Sequence, residues 1–269
     1  MEHLVLIVLA IIFYLLAAGS FSARLLLADR SDASILQPAA LAAGALGALV
    51  HALLLHAQLL GDSGLNLGFF NAGSLVGWLM VLLVLLAALR RPVENLAVFI
   101  LPIGAIALFL GEVLGGPAQT ARATAGLEAH ILTSMLAYAV LSLAALQALL
   151  LAFQDHQLRN RHPTGLIRYM PPLRIMEEIL FQILWAGFVL LSLSLATGVI
   201  FLENIFAQHL VHKTTLSVAA WVVFAILLFG RIRFGWRGRK AIRWTMGGFL
   251  ALMLAYFGTK LVLELILQR

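Results

Sequence analysis

Residues 69–114 read FFNAGSLVGWLMVLLVLLAALRRPVENLAVFILPIGAIALFLGEVL. Two apolar runs, Phe69–Leu89 and Leu96–Leu114, flank a short polar break that holds Arg90 and Arg91. About 20 mostly apolar residues cross a bilayer as a helix, and each run is of that length. Helices are expected because a backbone amide in hydrocarbon has to find its partner within the segment. A membrane barrel would show strands of about ten residues with alternating polarity, and no such alternation occurs.

The same reading extends outward over the whole chain. Six further segments qualify: Leu4–Ser22, Gln37–Leu60, Ala129–Phe153, Ile179–Leu202, Thr214–Gly230 and Trp244–Leu265. The expected fold is all-α, a polytopic membrane protein with eight transmembrane helices in a single domain over residues 1–269. Composition agrees: 62% of the 269 residues are hydrophobic and 11% are charged, against roughly 25% charged in soluble domains. A soluble globular protein, a disordered chain and a nucleic-acid-binding domain are excluded. The net charge of +6 is not a nucleic-acid signal, because it is spread over a very apolar chain. There are no cysteines, which removes disulfides, thiolate metal sites and covalent haem attachment through this chain's own thiols. The leader Glu2-His3 has no Lys or Arg, a poor start for a signal peptide, so the first run is read as a helix.

Loop charge sets the orientation. Arg24 and Arg30 follow the first span, Arg90 and Arg91 the third, and Arg159, Arg161, Arg168 and Arg174 the fifth. Arg231, Arg233, Arg237, Arg239, Lys240 and Arg243 follow the seventh. The opposite side holds only Arg122, Lys213, Lys260 and Arg269. Basic loops stay in the cytoplasm, so both termini are expected outside. The longest polar stretch, Gln154–Glu178, is expected as an inner connector, with Pro171 and Pro172 setting the entry of the sixth span. Trp236-Arg237-Gly238-Arg239 reads as an interfacial anchor.

Polar residues inside an apolar chain are the candidates for function. His51 and His56 share the second span, about 13 Å and 6 Å below its outer end at Leu60. Five residues apart, they point about 140° away from each other and cannot hold one metal together. His130 opens the fifth span and His212, beside His209, immediately precedes the seventh. Imidazoles from the second, fifth and seventh spans can therefore converge in the outer leaflet. Neutral imidazole ligates haem iron and zinc. Zinc usually recruits Cys or carboxylate as well, whereas haem is mostly apolar, fits between helices and needs one or two axial ligands. Each histidine can equally be a buried side chain bonded to a neighbouring helix, and a proton relay is a third reading.

Other polar positions carry less. Asp62, Asn66 and Asn71 surround an outer turn. Glu112 is expected at a solvated helix end, able to neutralise Arg122 or a cation, and Lys260 can pair with Glu264 four residues on. Trp78, Trp185, Trp221 and Tyr138 could stack on a porphyrin but read mainly as packing. No nucleophile–base pair or cofactor fingerprint is seen, so no enzyme is expected.

Six stretches carry a resemblance: GDSGLNLGFFNAGSL, HILTSMLAYAVLSLAALQALLLA, YMPPL, LSLATGVIFLENIFAQHLVHKTTLSVAAWVVFAILL, FGWRGRKAIRW and LAYFGTKLV. In order and spacing they resemble the cytochrome c assembly protein superfamily, the group of CcsA, CcmC and HemX. The resemblance is greatest to its small eight-helix inner-membrane proteins of the YpjD type. It covers nearly the whole chain and implies haem handling at the outer face of a bacterial inner membrane. His130 in HILTSMLAYAVL matches a family histidine that opens the helix before the long connector, and His51 matches a second-span histidine. The tryptophan-rich WWD loop of CcsA and CcmC has no equivalent, since its place is taken by LVHKTTL, Leu210 to Leu216. There Lys213 keeps a family lysine and His212 replaces a proline.

The reading that results is b-type haem held near the outer face with His130 as one axial ligand and, opposite it, His51 by the resemblance or His56 or His212 by their place in the outer leaflet. The partners implied are the lipid bilayer and haem-biogenesis or cytochrome-assembly proteins, with no nucleic acid. The alternatives are a non-haem accessory or regulatory protein of the HemX kind, and a small-solute or ion transporter.

Overall fold

The computed structural model describes residues 2–27, 33–61, 64–115, 125–160, 169–201 and 208–262. Eight helices lie among them: α1 Glu2–Leu26, α2 Ala33–Leu59, α3 Phe69–Ala88, α4 Glu94–Leu114, α5 Ala125–Arg159, α6 Leu173–Phe201, α7 Gln208–Phe234 and α8 Arg239–Met253. A turn of π-helix, Leu254–Gly258, continues α8. All eight are long and apolar enough to cross a membrane, and the chain is a multi-pass membrane protein. Large apolar side chains such as Ile12, Leu132, Val199 and Phe229 are exposed around the helices, an arrangement that lipid stabilises and water would not.

Several helices outrun their apolar segments. Helix α5 continues to Arg159 and α6 begins at Leu173, so the expected connector Gln154–Glu178 is largely helical at both ends. Hydropathy sees only the apolar part of a helix. Backbone hydrogen bonding carries on where polar side chains can pair one turn apart, as Arg159 does with Asp155 (3.1 Å) and Arg174 with Glu178 (3.1 Å). The prolines act as expected. Helix α6 starts directly after Pro172, whose carbonyl accepts from the Ile175 and Met176 amides. Beyond α2, Leu60 and Gly61 pair antiparallel with Leu65 and Gly64, while Asp62 lies outside the described residues.

The helices fall into two compact units, residues 1–122 with 163–171, and residues 123–162 with 172–269. In the first, α1 packs on α2 and α4, and α3 packs on both α2 and α4, closing a ring of four. Its core is a stripe at helical spacing: Ala10, Tyr14, Ala17 and Phe21 of α1 meet Ala97, Leu101 and Leu108 of α4 inside the unit. In the second, α5 packs on α6 and α8, and α7 packs on α6 and α8, another ring of four. Met176, Leu180, Leu184 and Leu191 of α6 and Ala220, Phe224 and Leu227 of α7 are its buried stripes.

Each unit has an arginine-rich end and an arginine-poor end, because consecutive spans alternate in direction. At the arginine-rich end of the second unit, buried Glu177 accepts from Arg231 (3.0 Å) and Arg237 (3.1 Å), and Asp155 accepts from Arg239 (3.3 Å). Trp236 lies over Gly230, Gly238 turns the chain at φ 53°, and α8 begins. The Trp236–Arg239 segment is thus a clamp between α5, α6, α7 and α8 as well as the expected basic anchor.

Candidate functional site

In the first unit His51 faces inward from α2. Its Nδ1 lies 3.0 Å from the Tyr14 hydroxyl of α1 and its Nε2 lies 3.0 Å from the Ser74 hydroxyl of α3. All three side chains are fully buried. Small residues make the approach possible. A methyl on Gly47, one turn before His51, would come within 2.7 Å of the Tyr14 ring, and one on Gly111 of α4 within 2.8 Å of Ser74 Cβ. The triad is a polar clamp joining three helices. As placed, His51 offers iron no free nitrogen.

In the second unit His130 sits near the start of α5, at the arginine-poor end, and is partly exposed. Its Nδ1 is 3.0 Å from the Ser194 carbonyl and 3.2 Å from Thr197 Oγ1, both on α6. A carbonyl has no proton to give, so Nδ1 must carry the hydrogen. Thr197 agrees, because its own hydroxyl proton goes to the Leu193 or Ser194 carbonyl. Nε2 is left with its lone pair and makes no hydrogen bond among the described residues. An imidazole whose Nδ1–H is tied to a carbonyl is the arrangement that orients a metal-binding histidine. One turn on, Ser134 and Ser194 hydroxyls meet at 2.7 Å and fasten the same two helices.

His56 is exposed on α2. His212 and His209 belong to the first turns of α7, and their side chains lie outside the described residues. His51 is enclosed in the first unit and His130 belongs to the second. Among the described residues no three His, Asp or Glu side chains gather as a metal site. A groove of about 390 Å³ between α2 and α3, walled by Leu41, Leu49, Trp78 and Leu82, contains no histidine. For haem the donor set fits at His130, with one free nitrogen of fixed tautomer, and does not fit at His51.

The remaining candidates are placed as follows. Glu112 does not sit at a solvated helix end. Its side chain is 3% exposed and Oε2 lies 3.4 Å from His3 Nε2, because α1 and α4 pack together there. Arg122 and Glu264 lie outside the described residues. Asn71 is buried in the first turn of α3, not in the loop, whereas Asn66 accepts from the Gly68 amide as a turn residue does. Trp78 donates to the Ala48 carbonyl (2.8 Å) and Trp221 to Ser192 Oγ (2.8 Å), which are packing roles. Trp185 stands edge-on to Phe188. Tyr138 donates to the Leu252 carbonyl (2.8 Å) and packs on Tyr256 and Phe257.

Tyr14, Ser74, Ser194 and Thr197 were not legible as site residues. Helical Ser and Thr commonly bond the carbonyl one turn back, as Ser192 does here, and nothing in sequence marks those that reach across.

The cytochrome C assembly protein family matches residues 39–267. The chain is 38% identical over 219 residues to inner membrane protein YpjD of Escherichia coli strain K12, covering 80% of this chain and 83% of that protein. It is 35% identical over 197 residues, 70% of this chain and 72% of the relative, to a protein of Azospirillum brasilense named for its position in a nifR3-like 5' region. Cytochrome c biogenesis protein CcsA of Rippkaea orientalis is 29% identical over 89 residues, 32% of this chain and 26% of that protein. No solved structure matches. With eight spans and a match running from the second helix to the last, the chain belongs to the cytochrome c assembly protein family.

Proposed function

We propose that this protein handles haem at the outer face of a bacterial inner membrane, with His130 as an axial ligand. The observation that carries the reading is the His130 imidazole: Nδ1–H is committed to the Ser194 carbonyl, and Nε2 is left to donate. Family membership and the inner-membrane relative support it. Bound there, haem would supply an iron centre for electron transfer or for passage to an acceptor. The chain's own part is to fix one imidazole tautomer, hold the ring against α6 and keep that end partly open. His51 serves the same reading as the bolt of the first unit, not as a ligand. The arginine-poor ends face outward on this reading, which puts both termini outside.

The test is an absorbance spectrum of the protein purified in nanodiscs and supplemented with haem. A Soret band is expected for wild type, lost in His130→Ala and kept in His51→Asn. No band in wild type overturns the proposal. A second reading, an accessory membrane protein that binds no haem, is favoured by LVHKTTL standing where the tryptophan-rich loop would be. That reading predicts the blank spectrum.

A further inference from the structure

Of the four seams in the first unit's ring, the one between α2 and α3 is the most sparsely packed. Two hydrogen bonds strap it. Gln37 Nε2 donates to the Ala88 carbonyl (2.9 Å) near the arginine-rich end, and Trp78 Nε1 donates to the Ala48 carbonyl (2.8 Å) deeper in the span. Along this seam runs the groove of about 390 Å³. Leu41, Ala45 and Ala52 of α2 form one wall, and Leu82, Leu86 and Leu89 of α3 form the other. The alanines leave open a space that larger side chains would fill against the α3 leucines. Leu41 to Ala52 is about 16 Å of helix, close to the depth of one leaflet of a hydrocarbon core about 30 Å thick.

The groove ends at charge. Leu89 is its last lining residue on α3, and Arg90 and Arg91 follow directly. The backbone stays helical through Leu89, so Arg90 comes one turn after Leu86, on the lined face. Both arginines are exposed, and neither makes an ion pair among the described residues. Other arginines at these ends are matched: Arg24 lies 2.8 Å from Glu94, Arg231 and Arg237 share Glu177, and Arg239 meets Asp155. Two unmatched guanidinium groups at the head of an apolar trough suit a molecule with an anionic head and a hydrocarbon chain. Guanidinium takes phosphate by paired hydrogen bonds, and basic residues at helix ends attract anionic headgroups. A neighbouring helix, about 10 Å across, would displace several times the volume of the groove over this length and gives no account of the arginines. We propose that the α2–α3 groove holds one acyl chain of an anionic phospholipid and that Arg90 and Arg91 hold its phosphate. The site lies wholly within the first unit and does not depend on the haem reading.

The test places the whole chain in detergent micelles with equal amounts of phosphatidylglycerol and phosphatidylcholine and counts retained lipid by native mass spectrometry. Wild type is expected to retain phosphatidylglycerol about tenfold over phosphatidylcholine. Arg90→Gln/Arg91→Gln is expected to lose that preference, and Arg90→Lys/Arg91→Lys to keep most of it. Ala45→Phe fills the trough from an exposed lining position and is expected to lose the lipid with both arginines in place. Cooperative melting shows which variants are folded, and Ala45→Leu replaces Ala45→Phe if the larger ring is not accepted. A wild type that retains the two lipids alike overturns the proposal without any variant. A preference kept by the Gln/Gln variant overturns the role of the arginines, and retention kept by the groove-filling variant overturns that of the groove. If filling the groove converts a dimer to a monomer and leaves the lipid preference unchanged, the seam seats a second copy of this chain and the proposal fails.

Discussion

In the first unit the imidazole of His51 is shut in by hydroxyls on both sides, whereas in the second that of His130 is held by one nitrogen only. Both residues lie on spanning helices, and both units are rings of four helices. What differs is the neighbours. Helices α1 and α3 bring Tyr14 and Ser74 to the two ring nitrogens, and the glycines beside them let the backbones close in. Helix α6 brings a carbonyl and a threonine to the same nitrogen of His130 and nothing to the other. A histidine with both nitrogens satisfied is a fastener. A histidine with one satisfied, at a partly exposed position near a helix end, keeps a lone pair that a metal can take, with its tautomer already chosen.

This contrast is most exposed to haem titration. His130→Ala should abolish the Soret band with little loss of stability, and His51→Asn should keep the band. The reverse pattern would exchange the two roles. In stability the ranking inverts. His51→Leu strands the Tyr14 and Ser74 hydroxyls in a fully buried site and should cost about 3 kcal/mol, read from detergent unfolding. His130→Leu, partly exposed and bonded on one side, should cost about 1 kcal/mol or less.

Packing around the clamp can be tested without touching it. Gly47→Ala drives a methyl into the Tyr14 ring and should destabilise by about 2 kcal/mol by thermal melting. Gly19→Ala, with open space at its position, should be neutral or slightly stabilising. The smallest effect sharpens the ligand side. Thr197→Val removes one of the two acceptors at His130 Nδ1 and should cost about 0.6 kcal/mol while shifting the haem potential or spectrum. No shift would mean that the Ser194 carbonyl alone sets the ring. Orientation has its own check in a chain without cysteines. Glu128→Cys should react with an impermeant maleimide added outside cells, and Arg233→Cys only after lysis.

The spans were legible because each is a local property, an apolar run of sufficient length between polar breaks. Their ends were less so. Helices α5 and α6 pass into polar sequence where Asp155–Arg159 and Arg174–Glu178 pair along the helix, and hydropathy is blind to that. The histidines were legible as candidates because an imidazole in an apolar run stands out. Their partners were not, since Ser74 and Thr197 look like any hydroxyl on a helix and the Ser194 carbonyl is plain backbone. Glu112 was misplaced for a similar reason: nothing near it in sequence announces that His3 and α1 cover it.

The sequence by itself determined that the backbone crosses the bilayer eight times and which loops carry the basic charge, since transfer of a segment into lipid depends on that segment alone. The tertiary structure decided what surrounds the imidazoles of His51 and His130. That depends on which face of one helix meets which face of another, and such meetings are settled by small residues and close contacts far apart in the chain.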